Sequence, residues 1–376
     1  MRARVGVRFF PIGVILSSKT IDILVRMPNW LGDCVMAMPA LRHLAETLPG
    51  SRIFLAGRRG FAELFSAQSG VAGFIEAPES GVGKLLKSMS DTRRIIRESG
   101  IPEGVDLGLL FTNSLSTAAW MWRSGARTRI GYDLDCRRFF LSHPVPCGGV
   151  EQSWHFVRYY LWLVKFAESV LSETGDIRTR QLEPLAEYMT PSLAVSEAMR
   201  DGAYRMLSEA GIAGDYAVIA PASAYGPVKD WPAEHYRALV ERISGELSLP
   251  VVVTGGAAQR DVCESIVAGR RGVVNLAGRT GLGEFAALLA GSSLFVGGDS
   301  GGAHVAAALG VPTVVIFGIT NPTRTCPTGK RVRMLGVGEE RDVKLSTPKA
   351  REEALRALSA IAPSEVFAAA CEARAL

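Results

Sequence analysis

The chain has 376 residues, 48% of them hydrophobic and 21% charged, with a formal net charge of +5. That balance is globular and excludes a disordered or low-complexity architecture, while the length is more than one compact core usually holds and predicts two domains. The charge is uneven: residues 1–150 carry 19 Lys and Arg against 12 Asp and Glu, so the basic excess lies in the amino-terminal half and points to an anionic partner there.

Six cysteines (Cys34, Cys136, Cys147, Cys263, Cys326 and Cys371) form no C-x-x-C pair and have no His cluster near them. Neither a zinc site nor a disulfide framework is expected, and a reducing, cytoplasmic setting fits. No apolar run approaches the ~20 residues needed to span a bilayer. The basic excess lacks the interleaved aromatic residues of a nucleic-acid binder, so no nucleic-acid partner is expected.

In chain order, residues 1–20 (MRARVGVRFFPIGVILSSKT) begin basic and hold a short apolar patch. Pro11 and Gly13 interrupt it and no small-x-small cleavage site follows, so it reads as a leader outside the fold. IDILVR (21–26) is a strand, MPNWLGD the loop after it, and CVMAMPALRHLAETL carries apolar residues at helical spacing. RIFLAG (52–57), VAGFIE (71–76) and VDLGLLF (105–111) repeat the strand pattern, with helix-like segments at 59–66 and 84–98 between them. A long amphipathic helix is expected over 154–170, and the polar stretch 171–184 is read as the linker. A second series follows in YAVIAPA (216–222), PVVVTGG (250–256), VVNLAG (273–278), SLFVGG (293–298) and PTVVIFG (312–318). Strands alternating with helices predict a mostly parallel, doubly wound sheet in each of two α/β domains, at 21–180 and 185–348, with a helical segment at 349–376. Two such domains face each other across a cleft lined by the carboxyl ends of both sheets, where α/β proteins bind ligands.

Three loops at such ends stand out: PNWLGD (28–33), PASAYGPVKDWP (221–232) and GGDSGGAH (297–304). In the last, Asp299 or Ser300 can cap the helix begun by VAAAL, whose N-terminus suits a phosphate, and the glycines let backbone come close to a ligand. Lys229 can lie over a pyrophosphate. Asp33 is the acidic side chain at the top of the first strand and can accept a proton from a hydroxyl group. Each also has a plainer reading: Asp33 as a first-turn carboxylate favoured by the helix dipole, Lys229 as a surface lysine, His304 as a satisfied surface histidine. No G-x-x-x-x-G-K-[ST] loop and no G-x-G-x-x-G after the first strand is present, so nucleotide hydrolysis and dinucleotide-dependent redox lack their usual support.

ILVRMPNWLGDCVMAMPALRHL, APASAYGPVKDWPAEHYRALV and NLAGRTGLGEFAALLAGSSLFVGGDSGGAHVAAALGVPTVVIFG, in that order over about residues 21–330, resemble the ADP-heptose:lipopolysaccharide heptosyltransferases, glycosyltransferase family nine. The N-W-L-G-D and G-P-V-K-D-W-P forms look more like the type II than the type I members. The resemblance implies a GT-B fold, two Rossmann-like domains with the acceptor in the first and the donor in the second. It implies inverting transfer of heptose from ADP-heptose to the lipid A-Kdo/heptose inner core at the cytoplasmic face of the inner membrane. Asp33 falls on the family's general base and Lys229 on the lysine that steadies donor phosphate. Asp299, Ser300, Gly301, Gly302 and His304 fall on the donor-contacting motif, with Ser223 and Thr280 at donor-side positions. No D-x-D metal motif is read in either sheet, so neither metal nor cofactor is expected. A nucleotide-sugar epimerase, a GT-B transferase with another acceptor, and a non-catalytic sugar-nucleotide binder are the alternatives.

Overall fold

The computed structural model describes residues 20–77, 92–101, 104–173, 189–223, 226, 229–318, 320–336 and 348–376. Among them, twelve strands make two six-stranded sheets, and every neighbouring pair is parallel. The first holds β1 (Asp22–Arg26), β2 (Arg52–Gly57), β3 (Val71–Glu76), β4 (Leu107–Leu110), β5 (Thr128–Tyr132) and β6 (His143–Val145), in the order β3-β2-β1-β4-β5-β6. The second holds β7 (Ala217–Ala220), β8 (Val251–Val253), β9 (Val273–Asn275), β10 (Leu294–Gly298), β11 (Thr313–Phe317) and β12 (Val332–Gly336), in the order β12-β11-β10-β7-β8-β9. Both windings are the same. Three strands step one way, then the chain crosses back to the other side of the first, which is the Rossmann order with a switch point beside the first strand.

The helices are α1 (Leu31–Thr47), α2 (Ala62–Ser66), α3 (92–98), α4 (Leu115–Ser124), α5 (Phe156–Glu173), α6 (Glu197–Glu209) and α7 (Ala233–Glu246). They continue with α8 (Arg260–Val267), α9 (Leu282–Ala290), α10 (Gly301–Ala308), α11 (Pro322–Thr325), α12 (Pro348–Ala360) and α13 (Pro363–Ala375). The helix expected over 154–170 is α5, shifted two residues on and running to Glu173. The leader, apart from Thr20, the linker beyond residue 173 and the first part of the segment 84–98 lie outside the described residues.

Every residue of β1, β4, β7, β10 and β11 is buried, as strands covered on both faces must be. The strands that periodicity misses are β5, β6 and β12. The last two are sheet edges and partly exposed, so they carry no unbroken apolar run. One apolar cluster runs from Ile23 and Val25 through Val35 and Leu44 of α1 and Ala303 and Val305 of α10 to Phe295 and Phe317, so the two domains share a core. The carboxyl-terminal α13 packs on α7 and on β10 to β12, completing the second domain. Trp231 Nε1 donates to the Ile361 carbonyl at 3.0 Å, tying the end of the lysine loop to the turn between α12 and α13.

Candidate active site

The loops leaving β1, β7, β10 and β11 line one cavity of ≈ 290 Å³ between the domains. Trp30, Gly32, Asp33 and Met36 come from the first domain; Ser223, Lys229, Asp299, Ser300, Gly301, His304, Thr320 and Thr325 come from the second. The cavity therefore lies at both switch points at once, where the diverging loops of a doubly wound sheet leave room for a ligand.

On the first-domain side the loop after β1 is gripped from below. The buried Arg26 guanidinium donates to the carbonyls of Met27 (2.9 Å) and Ala56 (3.2 Å) and to Asn29 Oδ1 (3.2 Å). Arg58 Nη1 donates to the Asn29 carbonyl at 3.3 Å. Burial lowers Arg26 to about 10, so it keeps its charge at neutral pH. The loop so held delivers Asp33 into the first turn of α1. Burial pushes the Asp33 carboxyl up to about 6, the charge of Asp299 pushes the same way, and Lys229 pulls against both.

On the second-domain side Lys229 Nζ lies 3.1 Å from Asp299 Oδ2, and Thr320 Oγ1 donates to the same oxygen at 2.6 Å. Asp230 Oδ1 accepts from the Ser223 N–H at 2.7 Å and pins the lysine loop. Ser300 is the N-cap of α10, with extended backbone, and its hydroxyl makes no capping bond. That hydroxyl and the helix N-terminus, with its partial positive charge, border the cavity together. His304 is buried, and burial first, then the nearby His155 and Lys229, push it down to about 4 against the pull of Asp299. It is a neutral imidazole at neutral pH, a hydrogen-bonding group rather than a cation.

Two of the cavity glycines, Gly32 and Gly301, also serve the contact between the domains. A Cβ on Gly32 would lie 2.8 Å from the His304 ring, and one on Gly301 would lie 2.7 Å from Leu31 Cβ. These two glycines let the N-terminal turns of α1 and α10 interlock across the domain boundary. Gly302 lies outside the cavity lining, its missing Cβ facing Phe285 at 3.1 Å inside the second domain. Thr280 is also outside the lining. It precedes α9, whose Gly283 N–H donates to Glu63 Oε2 of α2 at 3.0 Å in a contact between the domains. The expected absence of a D-x-D sequence also needs correcting: Asp133-Leu134-Asp135 follows β5. Arg138 pairs with Asp133, Asp135 sits in an exposed turn with φ 51°, and among the described residues no group of three metal-ligating side chains forms.

Sequence reasoning missed Thr320, Thr325 and Met36. Thr320 had one usable signal, the Asn321-Pro322 helix start just after an apolar run, which puts it at a strand's carboxyl end like the other three loops.

Replacing Gly32 with Ala is expected to force His304 or α10 aside at about 1–3 kcal/mol in stability, the usual cost of overpacking. Thermal unfolding and ADP titration of Gly32→Ala check this. A variant as stable as the parent, with the same nucleotide affinity, means that the interlock is not tight.

A chain with two Rossmann-ordered domains and a cavity at both switch points, into which Asp33, Lys229 and Asp299 converge, has the GT-B architecture of glycosyltransferases. Residues 101–354 match the model of glycosyltransferase family 9 (heptosyltransferase), and the chain belongs to that family. Lipooligosaccharide heptosyltransferase 2 of Haemophilus influenzae is 25% identical over 332 residues, 86% of this chain and 91% of that protein. The structure of E. coli ADP-heptose LPS heptosyltransferase II aligns with a TM-score of 0.73 at 23% identity, covering 94% of this chain and 99% of that one. E. coli heptosyltransferase WaaC with ADP aligns at 0.69 and 19% identity, covering 94% and 100%.

Proposed function

We propose that the chain transfers L-glycero-D-manno-heptose from ADP-heptose to the inner core of lipopolysaccharide, inverting the anomeric centre without a metal, as a heptosyltransferase II does. One observation carries this: a carboxyl raised to about 6, from the first domain, shares a cavity with Lys229, Ser300 and the α10 N-terminus from the second. As the acceptor oxygen bonds to the anomeric carbon, its proton passes to Asp33 and the bond to the β-phosphate oxygen breaks. ADP departs against Lys229, the Ser300 hydroxyl and the helix dipole. A carboxylate of this kind is ionised at neutral pH yet more basic than an ordinary aspartate, which suits a base. The donor occupies the second domain. The lipid A-Kdo/heptose acceptor, rich in negative charge, meets the basic first domain, with the chain held peripherally at the cytoplasmic face of the inner membrane.

Incubation with ADP-heptose, with and without acceptor, tests the reading. Transfer should require the acceptor; a product formed without it identifies an epimerase, and no product with it identifies a binder. Because Lys229 and a helix N-terminus supply the positive charge that the leaving group needs, turnover should survive thorough EDTA treatment. Activity restored only by a divalent ion refutes the metal-free mechanism.

A further inference from the structure

Outside the cleft, the first domain presents large apolar side chains to water among arginines. Leu115 and Trp122, two turns apart on one face of α4, are 45% and 48% exposed, and Phe139, in the turn after β5, is 93% exposed. The Phe140 ring lies 5.9 Å from that of Trp122, which joins helix and turn into one patch. Arg129 ties the two together from behind, donating to the carbonyls of Phe140 (2.7 Å) and Ala126 (2.6 Å).

The rim is basic. Residues 113–142 contain five arginines, no lysine, no glutamate and two aspartates; Arg137 is buried and Arg129 is turned onto backbone carbonyls, while Arg123 is half-buried and Arg127 and Arg138 are exposed. The side chains of Arg127 and Arg138 are about two-thirds exposed, although each also reaches an aspartate, Asp106 and Asp133 respectively. Arginine holds phosphate with a forked, weakly hydrated cation, and Trp and Phe settle where an apolar phase meets water. Exposed apolar knobs with arginines beside them in the chain complement a surface that is apolar below and anionic above.

We propose that this patch docks on an anionic phospholipid bilayer, with Phe139 and Trp122 entering at headgroup depth and Arg127 and Arg138 meeting lipid phosphates. The proposal rests on the reading above, in which the acceptor is anchored in a membrane, and it places the lipid contact on the acceptor's own domain.

The full chain is sedimented with vesicles of phosphatidylethanolamine and phosphatidylglycerol, and with vesicles of phosphatidylcholine alone. The expected result is binding to the anionic vesicles, weakened by salt, and a fall of about tenfold or more for Phe139→Ser, Trp122→Gln and Arg138→Gln. Transfer to a soluble, delipidated core oligosaccharide should be unchanged in all three. Phe139→Ser, at a side chain already in water, keeps the test decisive if Trp122→Gln unfolds. Equal binding to both vesicle types, or variants that bind as the parent does, overturns the proposal. So does a change of oligomeric state in Phe139→Ser with lipid binding intact, which makes the patch a protein interface. Loss of transfer to the soluble acceptor by the parent chain overturns the proposed function instead, and vesicle binding is read separately from it.

Discussion

Replacing Asp33 with asparagine lowers kcat by about 10²- to 10⁴-fold, the range that a general base supplies. Donor affinity should hold or tighten by a few fold, because Asp33 shares its cavity with Asp299 and Lys229 and the change removes a negative charge from beside an anionic ligand. In the parent, kcat/KM should fall as pH drops through about 6, where Asp33 takes up its proton, and that limb should vanish in the variant. Stability moves the other way. The folded chain holds this proton up to about pH 6, whereas a carboxyl at its ordinary 3.8 has already lost it. Stability is therefore lost as pH rises between those values, and the penalty is complete above the folded pKa. Asp33→Asn escapes it and should gain about 3 kcal/mol at neutral pH, with no gain in acid, in thermal unfolding followed across pH. Near-normal turnover reduces Asp33 to a helix-start carboxylate, and loss of ADP-heptose binding refutes the division of labour between the domains.

Lys229→Ala should lower kcat/KM for the donor by about 10²- to 10³-fold, with ADP affinity and the rate of transfer falling together. The reason is the pair seen in the cavity. Lys229 Nζ offsets the Asp299 carboxylate at 3.1 Å, so deleting the cation also leaves that carboxylate facing the phosphates. A second change, Asp299→Asn, in the Lys229→Ala background should recover part of the ADP affinity but not the rate, since it lifts repulsion without restoring a cation for the leaving group. Calorimetric titration with ADP and single-turnover rates separate the two effects. Unchanged ADP affinity in Lys229→Ala removes the lysine from the phosphate site, and an additive double variant shows that Asp299 acts independently of it.

The loops that hold Asp33, Lys229 and Ser300 are legible in the amino-acid order because each follows an apolar run that reads as a buried parallel strand, and the loop at such a strand's carboxyl end is where ligands bind; the role of each residue came from the family resemblance. LFV before GGDSGGAH and ILV before PNWLGD are such runs, and both became central strands, β10 and β1. Edge strands such as β6 and β12 face water on one side and have no such run, so their existence depended on a neighbour to pair with.

By itself, then, the sequence determined two doubly wound domains, the three loops at their switch points and the residue types offered there, since local periodicity and turn chemistry are properties of short stretches. Only the tertiary structure decided that Gly301, which borders the cavity, also makes room for Leu31, that Gly302 and Thr280 stand back from the cavity, and that Thr320 joins Lys229 on Asp299. It also decided that burial pushes the Asp33 carboxyl up to about 6. Burial and electrostatic energy are sums over neighbours in space, and the two charges that act on Asp33, those of Asp299 and Lys229, come from the other domain, far along the chain.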